Sequence, residues 1–216
     1  MSSPEPASPS PTLSALKALQ QGGWVESALQ LESPNCDARP TDCQTELLVI
    51  HAISLPLGQF AGSGTSSYIA DLFLNRLDCA AHPDFAQLEG VRVSSHFLIQ
   101  RDGSLIQFVG ADLRAWHAGV SQFMGRAACN DFSIGIELEG SDFVPFEAAQ
   151  YDTVVDLTHL LCQHYPIRHI AGHQDIAPSR KTDPGPFFDW TLYQNLLRQR
   201  FPLVLANAAI HGHAVR

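Results

Sequence analysis

The residues that could do chemistry are concentrated in one loop toward the C-terminal end of the chain. Residues 172–186 read Gly-His-Gln-Asp-Ile-Ala-Pro-Ser-Arg-Lys-Thr-Asp-Pro-Gly-Pro. The prolines and glycines of this segment exclude regular structure beyond a few residues, so we expect a shaped loop. His173, Asp175, Lys181 and Asp183 give it an imidazole, two carboxylates and a cation, which is dense for a solvated connection.

A further histidine, His51, lies inside the apolar, β-branched run 47–55. That composition predicts a strand covered on both faces, where an imidazole must either bind a metal or make a satisfied core hydrogen bond. Together with His173 and Asp183 it would supply two nitrogens and one oxygen to Zn²⁺ and leave the fourth tetrahedral position for water, as in catalytic zinc sites. Asp175 is the alternative third ligand, although it could instead cap the loop or orient the ring of His173.

A second strand carries two carboxylates, either of which could serve such a site. Residues 133–139 alternate as a strand, which puts Glu137 and Glu139 on one face. A solvated strand face would explain both, but a carboxylate beside a zinc-activated water can take its proton. Lys181 lies two residues before Asp183 in an extended stretch, so it points to the same side and could stabilise a tetrahedral oxyanion, unless it is an ordinary surface lysine. The other histidines, His117 among them, are expected to be solvated or hydrogen-bonded.

The remaining elements alternate between helical and strand patterns, which indicates an α/β fold with helices on the faces of a sheet. The predicted elements are a short helix over 13–21 that ends at Gly22 and Gly23, a helix over 66–77, a hairpin of 93–100 and 104–109 around Asp102-Gly103, a helix over 147–164, a strand over 169–171 and a helix over 189–200 with Asp189 as its N-cap.

The composition predicts one domain. The chain has 216 residues, of which 45% are hydrophobic, enough for one buried core. We expect a flexible Pro/Ser-rich extension over 1–22, a catalytic domain over 23–205 and a C-terminal tail over 206–216. The net charge of −9 disfavours nucleic acid as a partner. No apolar run approaches the roughly 20 residues of a membrane span, and no secretory signal is visible; with five cysteines that lack CxxC spacing, this predicts a cytoplasmic protein with reduced thiols.

Five blocks in order resemble a known family, the type 2 zinc N-acetylmuramoyl-L-alanine amidases. They are Ile50-His51, Val93-Ser-Ser-His-Phe-Leu-Ile-Gln-Arg-Asp-Gly103, Arg114-Ala-Trp-His-Ala-Gly-Val-Ser121, Cys129-Asn-Asp-Phe-Ser-Ile-Gly-Ile-Glu-Leu-Glu-Gly140 and the Gly172 to Pro186 loop. The resemblance runs from about Trp24 to Leu197. It implies a central mixed β-sheet flanked by helices, the fold shared by phage-lysozyme-type amidases and peptidoglycan recognition proteins.

The resemblance also implies a role for individual residues. It makes His51, His173 and Asp183 the ligands of one Zn²⁺ per chain, Glu137 the catalytic carboxylate and Lys181 the transition-state cation, and it leaves Asp175 as a loop residue. Substrate contacts are implied for the ring of Trp116 and for Arg92 and Arg126, which could bind the carboxylates of a peptide. Ala52 and Ala128 depart from the pattern, which usually has Asn and Arg at these positions.

The activity implied is hydrolysis of the amide between N-acetylmuramic acid, preferably its 1,6-anhydro form, and L-Ala of the stem peptide, by a monomer that acts on small muropeptides in peptidoglycan recycling. Three alternatives stay open: a non-catalytic peptidoglycan-binding module on the same fold, a wall-degrading amidase that acts on intact peptidoglycan, and a cysteine hydrolase that uses Cys129 with a histidine.

Overall fold

A computed structural model describes residues 16, 18–60 and 67–212. Within these residues the strands are β1 (Leu19–Gln20), β2 (Trp24–Val25), β3 (Leu29–Gln30), β4 (Cys36–Ala38), β5 (Leu47–Ile53), β6 (Phe97–Ile99), β7 (Leu105–Gln107), β8 (Leu113–Ala115), β9 (Gln122–Phe123), β10 (Arg126–Ala127), β11 (Ser133–Glu139), β12 (His169–Gly172) and β13 (Ala209–Ile210). The helices are α1 (Tyr68–Phe73), α2 (Ala148–His164), α3 (His173–Ile176), α4 (Trp190–Arg200) and α5 (Pro202–Asn207), with 3-10 helices at Pro83–Leu88 and Cys129–Phe132.

The centre of the fold is a mixed sheet. In the described part of the chain its strand order is β13-β12-β5-β11-β6-β7-β3. Neighbouring strands are parallel except β6 and β7, which form an antiparallel hairpin. Helices lie against this sheet, which confirms the predicted α/β class and the mixed sheet flanked by helices.

The register of the central strands brings the chemical residues to one level. Glu137 on β11 is paired with His51 on β5, and Gly172 on β12 is paired with Ile50. His173 follows Gly172 directly, so it leaves β12 level with His51. Side chains paired across parallel strands share a face, so three neighbouring strands deliver two imidazoles and a carboxylate to the same side of the sheet, near the carboxyl ends of the strands.

The two faces of the sheet are packed differently. On one face Ile50 and Ile136 are fully buried with Leu157 of α2 and Tyr193 of α4 in a large apolar cluster. On the other face two smaller clusters are separated along β5. Val49 belongs to one and Ile53 packs against the other, and the strand's alternation places His51 between them. The functional face is therefore interrupted by a polar site where the opposite face has a continuous core.

Most predicted elements are confirmed, with boundaries set by local chemistry. The strand over 133–139 is observed in full. The helix predicted over 147–164 begins at Ala148, after a capping box of Glu147 and Gln150, and Asp189 caps α4 by accepting the N–H of Leu192. The helix predicted over 66–77 is shorter, because it ends at Phe73 and Asn75 then takes a positive φ of 58°.

The helix predicted over 13–21 is wrong where the structure describes it. Leu19–Gln20 pairs with Trp24–Val25 as an antiparallel hairpin, and Gly22 and Gly23 turn it with φ of 80° and 77°. The two glycines, taken from the sequence as a helix stop, permit a left-handed turn between strands instead. Residues 13–15 and 17, like 1–12 of the predicted extension, lie outside the described residues.

The division into extension, domain and tail remains a prediction. Ala209–Ile210, in the predicted tail, pairs with β12 at the edge of the sheet. Among the described residues, no helix is both long and apolar enough to cross a bilayer.

Candidate active site

Three donor atoms meet at the carboxyl ends of β5 and β12. His51 Nδ1 lies 3.0 Å from His173 Nδ1 and 3.1 Å from Asp183 Oδ2, and His173 Nδ1 lies 3.1 Å from the same oxygen. Both histidines are buried, whereas 16% of the Asp183 side chain is exposed. In the part of the chain that the structure describes, these three residues form the group able to hold a metal ion.

The donor set and spacing fit zinc. Two imidazole nitrogens and a carboxylate oxygen are ligands that Zn²⁺ accepts, and three protein ligands characterise catalytic sites. Tetrahedral bonds of about 2.0–2.2 Å hold neighbouring ligand atoms roughly 3.3 Å apart, close to the observed 3.0–3.1 Å. Burial, followed by the neighbouring imidazole of His173, lowers the pKa of His51 to about 4, so this ring is neutral and able to bind a cation near neutral pH.

Glu137 approaches this group from the adjacent strand. Its Oε1 lies 3.9 Å from His51 Nδ1, and among the described residues no group hydrogen-bonds its buried Oε2. Burial, then the charge of Asp183, raises the pKa of Glu137 well above its usual range, and Lys181 partly offsets this. A buried carboxylate with an unengaged oxygen is suited to proton transfer, because no protein partner competes for that oxygen.

Glu139 shares the strand and is also buried, but it is engaged elsewhere. Its Oε2 accepts the backbone N–H of Arg101 at 3.2 Å, which ties β11 to the turn of the β6–β7 hairpin. The two carboxylates that the sequence could not separate therefore have different surroundings, and Glu137 is the one beside the candidate metal ligands.

Lys181 and Asp183 lie at the junction of two cavities. One of about 260 Å³ is lined by the three donor residues and Glu137, with Val91 and Val93 among its apolar walls. A second of about 440 Å³ is lined by both polar and apolar groups, with Leu57 and Phe143 among the apolar ones. Asp175, the alternative ligand in the sequence, accepts the N–H of Gly172 at 2.7 Å and so caps the start of α3.

None of the three candidate substrate residues lines the cavity that contains the donor residues. Arg92 is exposed and lines another cavity, of about 530 Å³. This cavity shares Val91 with the 260 Å³ cavity that contains the donor residues, called here the metal-side cavity. Trp116 is half-buried and donates its indole N–H to Asp37 at 3.3 Å. Arg126 is ion-paired with Glu46 at 2.8 Å and stacks over Phe132. Of the three, Arg92 is the one that borders a cavity next to the site.

Sequence reasoning missed His117. The structure buries it against the candidate ligand His51, with its Nδ1 2.9 Å from His51 Nε2, and it borders the same cavity. Its neighbour Trp116 drew attention as a candidate substrate contact, whereas His117 was expected to be one of many solvated or hydrogen-bonded rings. The signal in the sequence is Gly135, a glycine inside the alternating strand, which indicates that another group lies close to the backbone there. In the structure that group is the ring of His117, which a Cβ at this position would approach to 2.6 Å.

Comparison with known proteins identifies relatives of high similarity. The chain is 50% identical to the 1,6-anhydro-N-acetylmuramyl-L-alanine amidase AmpD of Escherichia coli K12 over 181 residues, which cover 83% of this chain and 97% of that protein. It superposes on the crystal structure of a selenomethionine AmpD derivative with a TM-score of 0.78 and 48% identity, over 83% of this chain and 99% of the other.

A more distant solved structure was determined with a bound substrate. The N-acetylmuramyl-L-alanine amidase AmiD from E. coli, in complex with anhydro-N-acetylmuramic acid-L-Ala-D-gamma-Glu-L-Lys, matches with a TM-score of 0.52 and 28% identity, over 79% of this chain and 67% of that one. The sequence of this chain matches the Amidase_2 family over residues 41–186, more than half of its length. The chain therefore belongs to the N-acetylmuramoyl-L-alanine amidase family, Amidase_2.

Proposed function

We propose that this protein is a zinc-dependent amidase that hydrolyses the amide between N-acetylmuramic acid, preferably in its 1,6-anhydro form, and L-Ala of the stem peptide, in peptidoglycan recycling. One observation carries the proposal: a single cavity is lined by His51, His173, Asp183 and Glu137 together with Lys181. The similarity to AmpD proteins at 48–50% identity supports the choice of sugar.

In this proposal His51, His173 and Asp183 hold one Zn²⁺. A zinc ion bound there would polarise the scissile carbonyl and lower the pKa of a water molecule to about 7. The protein's own task is to fix three donors at the spacing described above, so that little reorganisation is needed when the ion binds.

Glu137 is the proposed acid and base. Its free Oε2 accepts a proton from the attacking water, and the protonated carboxyl then delivers it to the leaving amine nitrogen of L-Ala. Burial and the nearby charge of Asp183 raise the pKa of Glu137, which makes its carboxylate a stronger acceptor for the proton of the attacking water. Lys181 places an ammonium where negative charge develops on the carbonyl oxygen.

Two cavities that share Lys181 and Asp183 suit a substrate with two unlike halves. The scissile amide joins a compact sugar to a polar, charged peptide, so both sides of the bond need space. Arg92 is proposed to bind a peptide carboxylate, since it lies on exposed surface beside the metal-side cavity. Trp116 and Arg126 remain candidate contacts, and each would first have to leave its present partner.

We also propose that the protein acts as a monomer in the cytoplasm on soluble turnover fragments. One chain supplies every proposed metal and catalytic group, so the proposed chemistry needs no second copy. The cysteine-hydrolase alternative has little support, because Cys129 is buried and that burial raises the pKa of its thiol, which disfavours the thiolate.

Mass spectrometry of products tests the proposal. Zinc-loaded protein is incubated with a 1,6-anhydro-muropeptide, and we expect free anhydro-N-acetylmuramic acid and a peptide with L-Ala at its N-terminus. A chelated sample of the same protein is the control and should leave the substrate intact. Tight binding without cleavage would favour the binding-module alternative, and efficient digestion of intact sacculi would favour the wall-degrading one.

A further inference from the structure

Two consecutive residues, His117 and Ala118, contact the far nitrogen of each candidate ligand histidine. We propose that this pair is a positioning element that fixes both imidazoles in the tautomer whose Nδ1 lone pair faces the metal. The inference rests on the proposed zinc site and assigns no direct contact with metal or substrate to either residue.

The tautomer of His51 follows from a chain of hydrogen bonds that starts at a carbonyl. Ser133 Oγ lies 2.6 Å from the carbonyl oxygen of Cys129, which can only accept, so the hydroxyl donates its proton there. The same Oγ must then accept from His117 Nε2 at 3.1 Å. In the neutral ring this leaves His117 Nδ1 as an acceptor, and it faces His51 Nε2 at 2.9 Å. His51 therefore carries its proton on Nε2, and its Nδ1 has a free lone pair.

The tautomer of His173 is fixed by the next residue along the chain. His173 Nε2 lies 3.2 Å from the carbonyl oxygen of Ala118. A carbonyl cannot donate, so Nε2 holds the proton and Nδ1 is unprotonated. Both lone pairs then point at Asp183 Oδ2, and three electron-rich atoms face one another at 3.0–3.1 Å with no proton between them. Such an arrangement is repulsive on its own and becomes favourable around a cation.

The segment that sets these tautomers is itself held from several sides. Asn130 Oδ1 accepts the backbone N–H groups of His117 at 3.2 Å and Ala118 at 2.8 Å. Arg180 Nη2 donates to the carbonyl oxygens of Ala118 and Val120, each at 2.8 Å. These contacts fix the position of the acceptor groups, so the orientation of each ligand ring does not depend on the metal alone.

The local sequence makes room for this arrangement on β11. A Cβ at Gly135 would lie 2.6 Å and 2.7 Å from the Cγ and Nδ1 atoms of His117. Glycine at this position leaves space for the ring close to the strand that also carries Ser133 and Glu137. The strand thus supplies the start of the hydrogen-bond chain, the space for its middle member and the proposed acid-base residue.

Ser133→Ala is the sharpest test, because it removes one oxygen from the chain and leaves both histidines in place. Ser33→Ala is the matched control: Ser33 is also buried and donates its hydroxyl to a backbone carbonyl, that of Phe73. We expect the zinc dissociation constant, measured by competition with a chromophoric chelator, to rise on the order of ten- to a hundred-fold in Ser133→Ala. The control should bind zinc like the wild type.

Nitrogen-15 NMR of the imidazoles reports which ring nitrogen carries the proton. A residue that only supported the fold would not change this tautomer. In the metal-free wild type at neutral pH we expect His51 and His173 to be protonated on Nε2 and not on Nδ1. In Ser133→Ala, His117 and His51 should show mixed tautomers, while His173, which depends on Ala118, should keep its own. His117→Phe, which removes the acceptor for His51, should also weaken zinc binding.

The outcomes separate this inference from the proposed function. Wild-type protein that binds no zinc would reject both. Wild type that binds zinc, together with Ser133→Ala and His117→Phe variants of unchanged zinc affinity, would overturn the inference and leave the amidase proposal standing. A His51 protonated on Nδ1 in the metal-free protein would also overturn it. Melting temperatures of all variants show whether any loss reflects unfolding instead.

Discussion

Replacement of Glu137 by Gln should abolish most activity while keeping fold and zinc. The substitution keeps the size and shape of the side chain and removes its ability to accept a proton. Glu137 Oε1 lies 3.9 Å from His51 Nδ1 and is outside the group of three donors that could hold the metal. The substitution therefore leaves the proposed metal ligands unchanged, and we expect one zinc per chain and a free energy of unfolding within about 2 kcal/mol of the wild type.

The expected loss follows from the role of the free oxygen. Among the described residues nothing hydrogen-bonds Glu137 Oε2, so this oxygen is available for proton transfer and its loss has no protein substitute. Removal of a general acid-base group costs on the order of 10² to 10⁴ in kcat. This corresponds to about 3 to 5 kcal/mol of activation free energy.

Glu139→Gln is the matched control, since it makes the same change on the same strand and face. Glu139 accepts the N–H of Arg101, so its replacement should alter stability slightly and leave kcat within a few-fold of the wild type. Peptide release from an anhydro-muropeptide, followed by chromatography, gives kcat, and elemental analysis gives zinc content. Equal losses at both positions, or an active Glu137→Gln variant with bound zinc, would refute the assignment of the acid-base residue.

Three further outcomes are expected. Matched anhydro and reducing-end muropeptides should differ in kcat/KM by roughly 10- to 200-fold in favour of the anhydro sugar, as one subsite of fitted shape allows; equal values would contradict the proposed substrate. Burial, followed by the charge of Arg39, lowers the pKa of His96 to about 3, so below pH 6.5 the unfolded chain binds a proton on this ring that the folded chain does not. Between neutral pH and pH 5 this should lower the free energy of unfolding, measured with urea, by about 2 kcal/mol. His96→Gln should lack this contribution. Leu157→Ala, at a fully buried core position, should cost about 2 to 5 kcal/mol of unfolding free energy with zinc affinity unchanged, since it lies on the opposite face of the sheet.

Features with a strong local signal could be predicted from the sequence. The strict alternation of 133–139 located β11 to the residue, and the apolar run around His51 located the central strand β5. Both strands are covered by other elements, so burial imposes a clear pattern on their residues. The loop that carries His173 and Asp183 was recognisable because its prolines and glycines exclude regular structure.

Features that depend on distant contacts could not be predicted. Glu137 and Glu139 are alike in sequence pattern, and they are distinguished by tertiary contacts: Glu137 lies beside His51, whereas Glu139 accepts the backbone N–H of Arg101. His117 comes from an irregular segment, and its proposed positioning role depends on contacts with Ser133 and His51, which lie 16 and 66 residues away. The hairpin at 19–25 was mistaken for the end of a helix, because a glycine pair is compatible with both and the choice depends on pairing with β2.

Zinc-dependent recovery of activity tests the central claim most directly. Metal-free protein is titrated with Zn²⁺ while hydrolysis of a 1,6-anhydro-muropeptide is followed in the wild type and in Asp183→Ala. We predict that wild-type activity rises from near zero to a plateau at about one zinc per chain, because three donors make one site. The variant should stay inactive at the same zinc concentration. Full activity without metal, or equal recovery in Asp183→Ala, would contradict the account.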